Sequence, residues 1–130
     1  MKTKIIALAI LSVLLLAGCA SKVEVVKNED AAAFQKTTQQ AGVVTLDVRT
    51  PGEFSQGHIS GAINIDVEGP NFATEISKLN KATSYAVYCH SGRRSAIATE
   101  IMKKSQFKSL FNLQDGIQSW LASGLALTTA

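Results

Sequence analysis

Short runs of alternating or continuous apolar residues are spaced along the chain between longer stretches that repeat at helical intervals. Val23–Val26 (VEVV) predicts a first strand. Asn28 is placed to cap a helix, with Glu29 and Asp30 near its positive end. Ala33, Phe34, Thr37 and Ala41 form that helix's apolar stripe, and Gly42 stops it. Val43–Val48 (VVTLDV) is a nearly unbroken apolar run, the mark of a strand covered on both faces. Thr50-Pro51-Gly52 reads as a turn, and Ala62–Ile65 as a brief third strand. Pro70 suits the first turn of a helix carrying Phe72, Ile76 and Leu79 at helical spacing. Ser84–Cys89 (SYAVYC) is a fourth strand. A helix follows from about Arg93 with Ile97, Ala98, Ile101 and Met102 inward, then a fifth strand over Ser109–Leu113. Gly116 opens a last helix with Ile117, Trp120 and Leu121 on one face, and Gly124 ends it. Strands alternating with helices predict a parallel α/β sheet with helices on both faces. Ligands of such sheets sit beyond the carboxyl ends of the strands. Two polar clusters fall there: Asp47-Val48-Arg49 and Cys89–Ser95.

The first residues follow a different pattern. Lys2 and Lys4 precede Ile5–Leu16, a continuous apolar stretch broken by a single Ser. At twelve residues it is shorter than the roughly 20 needed to span a bilayer. This is the pattern of a secretory signal peptide, which has no part in the fold. Its end, Leu16-Ala17-Gly18-Cys19, resembles a bacterial lipobox. That resemblance implies cleavage after residue 18 and a lipid on Cys19, with residues 19–22 as anchor and short tether and 23–130 as the domain. It places the protein in the bacterial cell envelope, facing the periplasm, on the outer membrane rather than the inner.

The leader also changes what the charge means. The chain of 130 residues carries a formal net charge of +3, from 13 basic and 10 acidic residues. Losing Lys2 and Lys4 leaves 11 basic residues against 10 acidic ones, a net charge of +1. No basic patch remains to neutralise a phosphate backbone, so nucleic acid is excluded as a partner. With Cys19 lipidated, Cys89 is the lone free thiol, in a compartment where thiols are usually paired.

Cys89-His90-Ser91-Gly92-Arg93-Arg94-Ser95 joins a strand to a helix. A thiol there faces several backbone N–H groups and the positive end of a helix dipole, which favour thiolate over thiol. Arg93 and Arg94 add positive charge, and Gly92 permits a tight turn. The same concave amides would bind a small oxyanion. The residues alone leave two readings: a nucleophile within an anion cradle, or an inert Cys closing a buried strand.

Three ordered motifs resemble the rhodanese family. The loop Cys89–Ser95 looks like that family's active-site loop, C-x-x-G-x-R-[ST]. Leu46–Ile65 (LDVRTPGEFSQGHISGAINI) resembles its upstream hallmark, and Leu113-Gln114-Asp115-Gly116-Ile117 with Trp120 and Gly124-Leu125 resembles its closing segment. The departure is Asp115, where a Gly is usual. The likeness spans residues 23–127 and implies a rhodanese-like three-layer α/β/α domain with a five-stranded parallel sheet. It implies a thiosulfate sulfurtransferase in which Cys89 carries a persulfide between a small donor (thiosulfate or a persulfide) and a thiol or cyanide. His90, Ser91, Gly92, Arg93, Arg94 and Ser95 would bind substrate, Arg93 and Arg94 attracting the dianion. No metal or organic cofactor is implied, and a monomer is expected. The alternatives are a non-catalytic persulfide carrier or a binding module on the same fold. Phosphatases and arsenate reductases of this architecture use a loop one residue longer, C-x5-R, whereas Arg94 here follows Cys89 with four residues between.

The remaining residues have plainer readings beside sharper ones. Asp47 either orients the loop or serves in a cap or salt bridge, and Arg49 is expected to pair with Glu53. His58 is expected to make a structural hydrogen bond rather than serve as a base. His90 either shapes substrate choice or faces solvent. Trp120 is expected in the core, and Lys103, Lys104 and Lys108 on a solvated face or against anionic lipid.

Overall fold

The computed structural model describes Gly18 and residues 22–130; the apolar stretch Ile5–Leu16 and Cys19, read above as signal peptide and lipid attachment point, lie outside the described residues. The elements alternate as β1 (Val26–Glu29), α1 (Ala31–Thr38), β2 (Val43–Asp47), α2 (Pro51–Gln56), β3 (Ile63–Asn64), α3 (Phe72–Ser77), β4 (Ser84–Tyr88), α4 (Arg93–Lys104), β5 (Ser109–Leu113) and α5 (Gly116–Ala122). The strands form one five-stranded sheet in the order β1-β5-β4-β2-β3, every pairing parallel. A core of Leu46, Val48, Phe72, Ile76, Tyr85, Val87, Met102 and Leu110 joins one face of the sheet to α3 and α4. Phe34, Ala86, Tyr88, Leu113, Ile117 and Trp120 join the other face to α1 and α5. On that second face Phe34 meets Tyr88 and Trp120 edge to face, at 6.4 and 6.5 Å between ring centres. The result is the expected three-layer α/β/α arrangement.

The local differences have physical causes. The first strand lies three residues later than the VEVV run suggests: Leu110 N donates to Val25 O, and Val26 to Glu29 pair with Leu110 to Leu113. An edge strand needs only one paired side, so Lys27, Asn28 and Glu29 are tolerated in it. Asn28 and Glu29 are therefore strand residues. Asp30 caps α1, its Oδ1 accepting from Ala33 N at 2.8 Å. That helix ends at Thr38, ahead of Ala41 and Gly42. Pro70 lies before the N-cap of α3, Asn71, rather than inside the helix.

Thr50-Pro51-Gly52 starts a helix instead of forming only a turn. Thr50 and Glu53 make a reciprocal capping box, with Pro51 in the first turn. On α4 the inward stripe is Ser95, Ala98, Thr99 and Met102. Ile97 is 46% exposed, and Leu121 of α5 is 51% exposed, so neither faces inward as expected. Ser95 must face Cys89, and residues three, four and seven positions later share its side of the helix.

Candidate active site

Cys89 follows β4 and is fully buried at the start of the loop that leads into α4. The loop bends back on itself at Gly92, which adopts φ +95°. A Cβ there would lie 1.8 Å from the Gln114 carbonyl oxygen, so no other residue fits. Gly116 is held the same way, at φ +66° with His90 O only 2.3 Å from a notional Cβ. The loop and the turn before α5 thus cross at two glycines. Ile117 N and Gln118 N then donate to the Cys89 and His90 carbonyls at 2.9 and 3.2 Å. Asp115 takes φ −106°, ordinary for any residue, so the missing Gly at this position causes no strain; Gly116 makes the turn.

The sulfur lies inside this bend. Gly92 N donates to Sγ at 3.1 Å, and Ser95 Oγ is 3.5 Å away. In the thiol, Sγ–H donates to Ser95, whose hydroxyl donates to Gly92 O at 3.2 Å. In the thiolate the Ser95 hydroxyl can turn to donate to sulfur, because Gly92 O keeps the Ala96 N–H at 3.1 Å. Burial pushes the thiol pKa up. The Ser95 hydroxyl and the amides of Ser95, Gly92 and Ser91 outweigh it, and the net result lies below the ordinary value. The axis of α4 begins at this loop and adds its positive end.

The charged residues sort differently from the sequence expectation. Arg49 does not pair with Glu53. It pairs with fully buried Asp47, Nε at 3.1 Å and Nη2 at 2.7 Å, and Nη2 also donates to Gly57 O at 2.7 Å. The Arg49 backbone N–H donates to the same carboxylate at 2.8 Å. The guanidinium lies 5.6 Å from the Tyr88 ring centre. Neither Asp47 nor Arg49 is hydrogen-bonded to Cys89; they tie the end of β2 to the carbonyl that follows α2. Asn64, which the sequence reading passed over, braces the same corner by donating to Asp47 O and Arg49 O.

Glu53 instead takes Arg94 in a two-pronged pair at 2.8 and 2.9 Å. Arg94 and then the Thr50 cap hold the Glu53 carboxyl at a pKa of about 2 against partial burial. Arg94 is therefore clasped by Glu53 of α2. Arg93 is exposed and lies 3.8 Å from Glu68. His90 is exposed at the mouth, its Nε2 2.7 Å from Gln118 Nε2. His58 is buried, stacked on Phe54 at 3.7 Å, with Nδ1 2.9 Å from Phe54 O and Nε2 3.0 Å from Ala130 O. Trp120 is in the core, its Nε1–H on Ala126 O, and Lys103 and Lys104 are exposed. Among the described residues no cluster of His, Cys, Asp or Glu could hold a metal, and no helix is long and apolar enough to cross a membrane.

The order of strands, the crossed glycines and a single buried thiol in a ring of amides define a class of site, and comparison with known proteins names the class. The rhodanese-like domain family matches residues 30–123, and the chain belongs to that family. It is 36% identical over 95 residues to thiosulfate sulfurtransferase 16 of Arabidopsis thaliana chloroplasts, covering 65% of this chain and 79% of that one. It is 34% identical over 86 residues to YrkF of Bacillus subtilis, a candidate sulfur carrier protein by its name, of whose length the chain spans 45%. A rhodanese-related protein from Thermoplasma volcanium superposes with a TM-score of 0.70 at 29% identity, covering 80% of this chain and 99% of that one.

Proposed function

We propose that this protein is a sulfurtransferase that carries sulfane sulfur as a persulfide on Cys89. The observation that carries the reading is the Cys89 sulfur itself, buried in a bend of backbone amides at the start of α4 with its pKa pulled down. In the first step the thiolate attacks the outer sulfur of thiosulfate or of a persulfide. The donor's S–S bond breaks, and its electron pair leaves on sulfite or on the donor thiolate. In the second step a thiolate or cyanide attacks the outer sulfur of the Cys89 persulfide, and the electron pair returns to Sγ. This is covalent catalysis in two half-reactions, with ping-pong kinetics expected. The amides of Ser91, Gly92 and Ser95 stabilise the anion at both stages. Arg94 and Glu53 keep the loop in shape.

Treating the full chain with thiosulfate should add one sulfur to the Cys89 peptide by mass spectrometry, and cyanide should remove it. Cys89→Ser should abolish both and still fold, since a hydroxyl fits the site but is far less nucleophilic. Turnover surviving in Cys89→Ser would overturn the assignment. A second reading, a carrier that passes its persulfide to a dedicated partner, is favoured by the likeness to YrkF. Loading by thiosulfate with negligible turnover to free thiols would select it.

The leader and lipobox-like Cys19 support a lipid-anchored position in the bacterial envelope, facing the periplasm. Cys19→Ala behind a replacement signal peptide should move the protein from the membrane fraction to the soluble periplasm.

A further inference from the structure

We propose that a cavity of about 340 Å³ beside the loop is the subsite for a neutral, amide-bearing thiol acceptor, and that Arg49 Nη1 is the donor that recognises its carbonyl oxygen. The proposal rests on the sulfurtransferase reading above and names the acceptor class for it.

The cavity lies between the end of α2, the loop and α5. His90, the neighbour of Cys89, lines it, and so does Glu53, which holds Arg94. Ile117, Leu121 and Leu127 form an apolar wall. Leu121 is the one exposed large apolar residue of the described chain that borders it, an arrangement that suits a ligand with an apolar body.

Both cations near the cavity are already neutralised, buried Arg49 by Asp47 and half-buried Arg94 by Glu53. No excess positive charge is left for a small inorganic anion, and a carboxylate entering here would meet the Glu53 carboxylate. One strong donor stays open. Arg49 is 5% exposed, and its Nε and Nη2 are committed to Asp47 and Gly57. Nη1 takes no part in those bonds; Tyr88 also lies against the guanidinium, and Nη1 is not sealed from solvent. Arg49 lines the cavity, so Nη1–H is a hydrogen-bond donor without a net charge behind it. A neutral carbonyl is the group that matches such a donor. The volume is that of a capped amino acid or a short amide thiol, and much larger than cyanide needs.

Transfer in this subsite balances without any further reagent. The acceptor thiolate attacks the outer sulfur of the protonated Cys89 persulfide. A new S–S bond forms on the acceptor, the Cys89–S bond to that sulfur breaks, and its electron pair stays on Cys89 as thiolate. The outer sulfur keeps its proton.

The test loads the full chain with thiosulfate and measures single-turnover transfer, as a second-order constant per thiolate. The acceptors are N-acetylcysteine N-methylamide, pantetheine, 2-mercaptoethanol and 3-mercaptopropionate. At least one amide thiol should react roughly tenfold faster than the last two, as one well-placed hydrogen bond allows. The capped cysteine in front assigns peptide or protein thiols as the source, pantetheine in front a small amide thiol. Equal constants for all four overturn the proposal. Arg49→Lys, which removes Nη1, should bring the preference close to one. Should that variant not fold, Leu121→Asp on the exposed rim carries the same test through the apolar wall, and an unchanged preference in it counts against this cavity. Failure to load sulfur at all overturns the sulfurtransferase reading instead, so the two failures are distinguishable.

Discussion

At the scale of single residues, the chemistry of Cys89 depends on one hydroxyl that can rotate. Ser95 accepts from the thiol and donates to the thiolate, while Gly92 O is never left without a partner. Ser95→Ala removes a hydrogen bond to the charged form, and its expected effect is a rise of roughly one unit in the thiol pKa. The rate of iodoacetamide alkylation against pH reads this directly: the wild-type midpoint should fall below 9.0 and the variant's should move up towards it. Asp47 shows the opposite logic, a buried charge with a single ionic partner. Asp47→Ala leaves the Arg49 guanidinium buried and uncompensated, and should cost about 3–5 kcal/mol in urea unfolding. Replacing both, as Asp47→Asn with Arg49→Met, should recover part of that loss because no lone charge remains.

At the scale of elements, α2 is six residues long and yet joins two parts of the site. Glu53, the partner of Thr50 in its capping box, holds Arg94 at the start of α4, and the carbonyl of Gly57, just past its end, receives the Arg49 side chain. The Glu53 carboxyl has a depressed pKa, about 2 in the folded chain against 4.5 for the free group. A group shifted down contributes stability above its unfolded value and loses it as pH falls through the folded one. The stability difference between wild type and Glu53→Gln should therefore be complete above pH 4.5 and vanish by about pH 2. Its plateau should be about 1 kcal/mol, since the carboxyl is a third exposed. Thermal melts of both proteins across that range check it. The crossing of the loop over the turn before α5 is less forgiving. Gly92→Ala drives a methyl into the Gln114 carbonyl and should cost more than about 2 kcal/mol and displace Cys89, visible as lost sulfur loading.

For the whole molecule, the parallel sheet separates its two ends. All strands run the same way, so the start of β1 lies at the end of the sheet opposite to the loop that follows β4. Sheet pairing begins at Val25, which leaves residues 20–24 between Cys19 and the sheet, a reach of at most about 18 Å. A lipid on Cys19 would hold that end of the sheet close to the bilayer and leave the Cys89 loop facing away. The expected outcome is that protein bound to vesicles and its soluble Cys19→Ala form have the same kcat/KM for thiosulfate. A marked loss on vesicles would mean that the mouth of the site faces the lipid.

The sequence by itself determined the alternation of strands and helices, the α/β class, and the loop Cys89–Ser95 as the join between a strand and a helix. These are local properties: apolar period, turn residues, and a thiol directly before a helix start with a Gly between. It also contained the capping box Thr50-Pro51-Gly52-Glu53, a helix signal hidden behind a turn-like tripeptide. Only the tertiary structure decided which charges meet. Arg49 is four residues from Glu53, yet it turns back to Asp47 because both side chains are buried at the end of β2. Glu53 is thereby released for Arg94, which is remote in sequence and adjacent across the sheet top. The register of β1 was likewise a decision of β5, not of the VEVV run, since an edge strand is placed by its one neighbour. The inward face of α4 was set by Ser95 turning to Cys89, which left Ile97 outside. Partner choice among charges and strands depends on distances between segments far apart in the chain, and spacing along one segment cannot encode them.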